Sequence, residues 1–185
     1  MAESVCPVWI GYLLLSPLRK LFQNPKKILS PYVKSGMKVM DVGCAMGYFS
    51  LELANLVGEN GKVICVDMQE EMLNVLKKRA GKVNLLERIE TRLCNQESLG
   101  LDDLKEKLDF VLAFAMVHEV PDAVPFIKEL SGTIKRKGHL LISEPAGHVT
   151  EEDFKKTISI VEQNGFKVMD KPKIKASHSA LFQKE

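Results

Sequence analysis

Asp41-x-Gly43-x-Ala45-x-Gly47 is the densest group of candidate binding residues in this sequence. Glycines let a backbone turn tightly and let a ligand come close, and a helix starting behind them favours an anionic group such as a carboxylate or phosphate. Asp67 lies 24 residues beyond Gly43 and closes a second apolar run. A carboxylate there can accept from both hydroxyls of a ribose, because two adjacent donors match two acceptor oxygens. His118 and Glu119 follow a later apolar run, and an imidazole that titrates near neutrality suits a general base. Glu144 is a further carboxylate at a strand end, suited to positioning a substrate or a neighbouring loop. Cys44, inside the turn itself, is the thiol to test for reactivity. Each feature also has a plainer reading: a strand-to-helix turn that binds nothing, and a histidine that caps the turn after its strand.

The elements that must hold these residues follow from periodicity. Val39 to Val42 reads as a buried strand, and Phe49, Leu53, Leu56 and Val57 then mark a helix laid on a sheet. Lys62 to Asp67 is a second strand, followed by a helix with Met72, Leu73, Leu76 and Ala80 inward and Gly81 as its stop. Arg88 to Cys94 is a third strand leading into Asn95-Gln96-Glu97. Leu108 to Ala115 is almost continuously apolar, as a central parallel strand buried on both faces should be. A helix through Val124, Ile127, Leu130 and Ile134 precedes a turn at Lys137-Gly138 and a fifth strand from His139 to Ser143, closed by Glu144-Pro145. Thr150 caps a last helix with Phe154, Ile158 and Val161 inward, and Phe166–Met169 and His178–Phe182 supply two late strands. This alternation specifies an α/β domain with a doubly wound, mostly parallel, seven-stranded sheet. The ligand then belongs beyond the strand C-termini, where Gly43, Asp67, Asn95, Phe114 and Glu144 close strands one to five in turn.

Two ligand classes use such a first turn. A dinucleotide fold wants G-x-G-x-x-G, and here that frame puts the bulky Tyr48 at the third glycine. The frame Asp41-x-Gly43-x-Ala45-x-Gly47 resembles motif I of the class I S-adenosylmethionine-dependent methyltransferases, with Ala45 in place of the central glycine. The alanine predicts a slightly altered turn and a retained site. The resemblance runs from about residue 34 to the end. Within the family, the WIGYLLLSPLRKLF stretch, the HEV after strand four and the SEP after strand five look most like the small-molecule branch that includes quinone-biosynthesis enzymes.

What the resemblance implies is a Rossmann-like methyltransferase that carries S-adenosylmethionine on Asp41, Gly43, Ala45, Gly47, Tyr48, Asp67, Met68, Asn95, Gln96 and Phe114. Gly47 with Tyr48 would receive the methionine end. Asn95 stands where a polar residue holds the adenine amino group, or it caps a turn. His118 and Glu119 are the candidates for acid–base work on an acceptor that must lose a proton. The tetrapeptide of amino-methylating nucleic-acid enzymes is replaced by Ala115-Met116-Val117-His118, and no cysteine nucleophile stands in that region or after strand five. Met116 and Val117 offer no metal ligands, so no metal is expected. The rivals are an NAD-type oxidoreductase, which Tyr48 disfavours, and a catalytically silent methyltransferase-like subunit that binds a partner protein.

Composition sets outer bounds. The 185 residues suit one domain, with 45% hydrophobic and 27% charged residues. A net charge of +2 makes no case from totals alone for nucleic acid or an anionic membrane. The lysines gathered near the C-terminus read as solvated faces. Cys6, Cys44, Cys65 and Cys94 form no C-x-x-C pair, which fits buried thiols in a reducing cytoplasm. Val8 to Leu15 is too short and too broken to span a bilayer. The domain reading is a helical cover segment over 1–34, with a short helix from Pro25 to about Val33 capped by Asn24, and a core over 35–185. No insertion has the length of a separate domain for a macromolecular acceptor. The expected partner is a small-molecule acceptor, with no nucleic acid and no stable membrane insertion; a lone chain and a homodimer both suit it.

Overall fold

A computed structural model describes Trp9, Gly11, Tyr12, Leu15, Ser16, Arg19 and residues 21–185. The expectations that fall on Cys6, Val8, Leu13, Leu14 and Pro17 lie outside these residues. Asn24 caps a short helix, α1 (Pro25–Leu29), by accepting from the Lys27 N–H at 3.3 Å. Next come β1 (Lys38–Val42), α2 (Ser50–Val57), β2 (Lys62–Asp67), α3 (Glu70–Lys82) and β3 (Ile89–Leu93). The second half holds β4 (Leu108–Phe114), α4 (Ala123–Thr133), β5 (Ile134–Pro145), α5 (Glu151–Gln163), β6 (Phe166–Asp170) and β7 (Ser177–Lys184). The seven strands form one sheet in the order β3-β2-β1-β4-β5-β7-β6. β1 to β5 run parallel, and β7 runs antiparallel between β5 and β6.

Side chains that alternate along the strands feed two cores, one on each face of the sheet. Met40, Val42, Ile64, Val66, Val111 and Ala113 pack toward Ile127 and Leu130 of α4 and Phe154 and Val161 of α5. Val39, Val63, Cys65, Phe110 and Leu112 pack toward Leu53 of α2 and Leu73, Leu76 and Ala80 of α3, with Leu29 of α1 beside them. The position of β4 explains its almost continuously apolar sequence, since it lies at the centre with β1 and β5 on either side. Among the described residues no helix is long and apolar enough to cross a membrane.

Several boundaries differ from the sequence reading, and Gly81, expected as the stop of α3, lies inside it, since the helix runs to Lys82 with Val83 as its cap. α1 stops at Leu29, with Ser30 as its cap, and does not reach Val33. β3 is confined to Ile89–Leu93. Ile134, expected on the inner face of a helix, is the first residue of β5, because α4 ends at Thr133. Ile134 pairs with Leu108, and the ladder resumes only at His139 opposite Phe110, so Lys135 to Gly138 loop out with Lys137 at φ +66°. Lys184 closes the end of α4 by donating to the carbonyls of Ser131 and Ile134. An apolar residue one step past a helix end keeps the helical spacing, so periodicity alone assigns it to the wrong element.

The turn between β1 and α2 is fixed by close packing. Gly47 sits at φ +79°, and a Cβ there would lie 2.1 Å from Leu76 Cδ1, a fully buried side chain. Gly47→Ala therefore has both backbone strain and a core clash to absorb, and it is expected to destabilise the fold by about 2–4 kcal/mol in urea unfolding.

Candidate functional site

At the C-terminal ends of the parallel strands lies a cavity of about 430 Å³, within the range of roughly 300–1,000 Å³ usual for small-molecule sites. Asp41, Gly43, Ala45, Tyr48, Asp67, Met68, Asn95, Gln96, Phe114 and Glu119 all line it. Gly47, His118 and Glu144, also singled out from sequence, do not.

The first turn is held from behind. The N–H groups of Gly43 and Cys44 both donate to the Val66 carbonyl at 2.9 and 3.1 Å, and that of Gly47 to the Cys44 carbonyl at 2.9 Å. The Ala45 N–H donates to Asp67 Oδ2 at 2.8 Å. These four donors are engaged inside the protein, so the turn is not the open amide cradle that its glycines implied. Gly43, at φ +71°, makes room for Met116, whose Cβ and Cγ would lie 2.9 Å from an added Cβ. Ala45 sits at φ +45°, so it keeps the left-handed geometry of a glycine at a cost of about 1–2 kcal/mol. Ala115, also on the cavity wall, is left-handed at φ +55°. Residues held in sparsely populated backbone regions cluster at functional sites, and both of these alanines line one cavity.

Asp67 serves two elements. Besides Ala45, it takes the Gln69 N–H on Oδ1 at 2.9 Å, which starts α3. Each oxygen keeps capacity for one more donor, as a ribose diol requires. Burial raises its carboxyl above the ordinary range, partly offset by the backbone N–H groups of Gln69, Ala45 and Met68.

Asp41 is only 3% exposed and accepts from the Ser50 hydroxyl at 2.5 Å. Burial pushes its carboxyl up to about 7, opposed by the Ser50 hydrogen bond, raised further by the charge of Asp67 and lowered by that of Arg19. Arg19 was not visible as a functional residue in the sequence. Its guanidinium carbon lies 4.3 Å from the Tyr48 ring centroid and 5.5 and 5.8 Å from those of Phe49 and Phe114, and its Nε donates to Gln23 Oε1. No spacing rule separates it from the neighbouring Lys20. Tyr48, expected at the methionine end of a cofactor, donates its hydroxyl to the Gln23 carbonyl at 2.9 Å and so ties the β1–α2 turn to the segment that carries Arg19. Arg19 is the cationic side chain on the cavity wall that can meet an anionic ligand group.

Asn95 does cap a turn. Its Oδ1 accepts from the N–H groups of Glu97 and Ser98 at 2.9 and 2.8 Å. The acceptor is therefore taken, and the amide Nδ2 remains as a donor suited to a ring nitrogen of a base more than to its amino group. Met68, Met72 and Met116 give the same cavity a polarisable apolar wall.

His118 and Glu119 separate after β4. Glu144, 1% exposed, accepts the N–H groups of Met116 and Val117 on Oε1 and that of His118 on Oε2. The His118 Nδ1 meets the same Oε2, and its ring stacks on His148 at 5.9 Å between centroids. Glu119 points the other way, into the cavity, where desolvation raises its carboxyl, with the charges of Glu144 and Asp67 adding and those of His118 and His148 opposing. Cys44, put forward as a reactive thiol, is buried, and desolvation holds its thiol well above its ordinary range. It is inert by the usual criteria of exposure and thiolate character.

The sheet order is itself diagnostic. A dinucleotide-binding sheet in the order 3-2-1-4-5-6 has no antiparallel seventh strand inserted between its fifth and sixth. A family model described as "Methyltransferase domain" matches residues 33–181. The chain belongs to this methyltransferase family. Over 112 residues it is 32% identical to a demethylmenaquinone methyltransferase of Bacillus cereus, covering 60% of this chain and 46% of that protein. The chain thus spans about half the length of the curated relatives it matches. Among solved structures, a SAM-dependent methyltransferase from Aquifex aeolicus superposes with a TM-score of 0.87 at 25% identity, covering 98% of this chain and 100% of that one. A SAM-dependent O-methyltransferase from Thermotoga maritima, at 21% identity and a TM-score of 0.69 over 87% of this chain and 64% of that one, shares the fold. The single-domain, seven-stranded, Rossmann-like fold expected from sequence is the one this methyltransferase chain has.

The Asp41 carboxyl gives a pH signature. Its folded pKa lies near 7 and its unfolded value near 3.9, so the native state favours the protonated form. That stabilisation is complete below about pH 4 and is lost as pH rises through about 7. Asp41→Asn removes the penalty of a buried charge, so its stability relative to the parent should rise between pH 5 and pH 8, by up to about 2–3 kcal/mol in urea unfolding. An unchanged difference across that range would contradict the assignment.

Proposed function

We propose that this chain is an S-adenosylmethionine-dependent methyltransferase acting on a small, largely apolar acceptor. The observation that carries the reading is the Asp67 carboxylate held beside the Asp41–Gly47 turn at a 430 Å³ cavity, in a chain of the methyltransferase family. S-adenosylmethionine supplies a methyl group on a sulfonium, a leaving group that departs without acid assistance. Asp67 binds the ribose diol through its two remaining acceptor positions. Asn95 Nδ2 donates to the base, against the thioether wall of Met68 and Met116. Arg19 pairs with the methionine carboxylate, and Asp41 faces the ammonium, whose charge favours the ionised carboxylate. Phe114 and Leu15 help to keep water out, and excluding water strengthens every charge interaction within. Alignment of nucleophile and methyl group then accounts for most of the rate.

Residues 1–34 act in this reading as a cover and 35–185 as the core. Gly11 supports it, since a Cβ there would meet Met72 and Met46 at 2.9–3.0 Å, and Gly11, Leu15 and Arg19 all line the cavity. The substrate of the Bacillus cereus relative makes phenols and quinols the first acceptors to screen. The unpaired thiols of Cys44, Cys65 and Cys94 support a reducing, cytoplasmic setting. A homodimer and a single chain remain equally compatible with it.

Where the acceptor must lose a proton, Glu119 takes it, because its carboxyl is on the cavity wall and already raised toward neutrality. His118 acts through Glu144 to hold the turn that aims Glu119. A transfer assay over phenols, quinols, thiols and amines separates the two roles. Glu119→Gln is expected to lower kcat by about 100-fold with cofactor affinity unchanged. His118→Gln is expected to cost less than tenfold in kcat and to lower thermal stability. The reverse ranking would make His118 the base.

A further inference from the structure

The segment that covers the cavity has an outer side unlike the rest of the surface. Gly11, Leu15 and Arg19 recur every fourth residue and line the cavity. Trp9, Tyr12, Leu21 and Phe22 are 64%, 58%, 74% and 52% exposed. Among the described residues, every exposed large aromatic side chain falls in this one segment. Scattered exposed apolar residues need no explanation, but four large ones in one short stretch do.

Charge accompanies them. A groove of about 350 Å³ runs between α1 and the β6–β7 connection, lined by Leu21, Phe22, Tyr32, Lys27, Lys173 and Lys175 among others, and by no acidic side chain. The Lys175 ammonium lies 4.2 Å from the Phe22 ring centroid. Between Glu3 and Asp41 the sequence has six basic residues and no acidic one, although the whole chain carries only +2. The acids Asp41, Asp67 and Glu119 line the large cavity and not this groove.

We propose that this face docks on the surface of an anionic lipid bilayer. Trp, Tyr and Phe side chains settle where headgroups meet acyl chains, and lysines lay their stems along apolar surface while their ammonium groups reach lipid phosphates. Each lysine near an anionic leaflet adds attraction that salt weakens. An acidic protein surface would satisfy Lys27, Lys173 and Lys175 and leave Leu21 and Trp9 in water. A bilayer offers both chemistries within a few ångströms of depth. Docking would bring the cavity cover against the lipid, so an acceptor dissolved there would reach the site without crossing water. That consequence rests on the methyl-transfer reading; the docking does not.

Vesicle co-sedimentation with the full chain tests it without reading catalysis. The chain should bind vesicles of phosphatidylcholine with phosphatidylglycerol at least about tenfold more tightly than phosphatidylcholine alone, and 0.5 M salt should weaken that binding. Two variants of exposed residues, Lys27→Glu/Lys173→Glu/Lys175→Glu and Leu21→Ser/Phe22→Ser, should each lose about tenfold while circular dichroism and thermal unfolding stay as in the parent. No preference for anionic vesicles would overturn the proposal. So would retention of binding by the Leu21→Ser/Phe22→Ser variant, or equal displacement from vesicles by a single-stranded oligonucleotide, since either would make the face a general polyanion site.

Discussion

Asp67 is the constraint on which the site depends. Its carboxylate ends β2, accepts the Ala45 N–H of the first turn and the Gln69 N–H at the start of α3, and so fixes three elements with one charged group. Hydrogen bonds to a charged acceptor contribute about 1.5–3 kcal/mol each, enough to offset the left-handed strain at Ala45. The turn can therefore do without its central glycine. The same carboxylate stands one strand over from Asp41 and two residues further along, because β1 and β2 pair with Asp41 opposite Cys65 and Val42 opposite Val66. Two acids so close, one of them almost wholly buried, explain why Asp41 resists ionisation and why a cation, Arg19, sits among the rings beside it.

Glu144 repeats the device across the cavity. At the end of β5 it collects three successive backbone N–H groups after β4, together with the His118 ring. Those bonds hold Met116 against Gly43 and leave Glu119 on the cavity wall. Two strand-end carboxylates thus satisfy the backbone of the loops that shape the site, and in both cases the carboxylate is anchored by a strand of the central sheet. Loops built this way are held without being regular, which suits the proposed alignment of two small molecules.

The fold was legible because the strands that matter are buried on both faces. Nothing but a central parallel strand explains a run such as Leu108 to Phe114, and the spacing of Gly43 and Asp67 reflects two neighbouring strands and the helix between them. Ile134 was misplaced because a helix end and a strand start share one apolar spacing there. Within the site, residues on strand ends were found and their bonding was not. Asn95, expected to hold an adenine amino group, lines the cavity, and which of its atoms is free depends on Glu97 and Ser98 folding back on it. His118 was ranked above Glu119 on side-chain type, whereas the turn after β4 sends the two in different directions. Arg19 was missed for the simplest reason: a cation in an aliphatic and aromatic segment shows its partners only once Tyr48, Phe49 and Phe114 are assembled around it.

The segment around Arg19 also joins the two surfaces to which the proposals assign function, an acidic cavity within and an aromatic, basic face without. Docking of the outer face does not depend on the cavity's ligand, whereas the proposed cofactor site rests on the Asp67 carboxylate beside the first turn. Calorimetric titration with S-adenosylhomocysteine, with NADH in parallel, tests that most directly. The account predicts micromolar, one-to-one binding of S-adenosylhomocysteine and none of NADH, and a more than tenfold loss of affinity in a folded Asp67→Ala protein, which lacks two charge-assisted hydrogen bonds of about 1.5 kcal/mol each. No binding by the parent chain, or unchanged affinity in the variant, would contradict it.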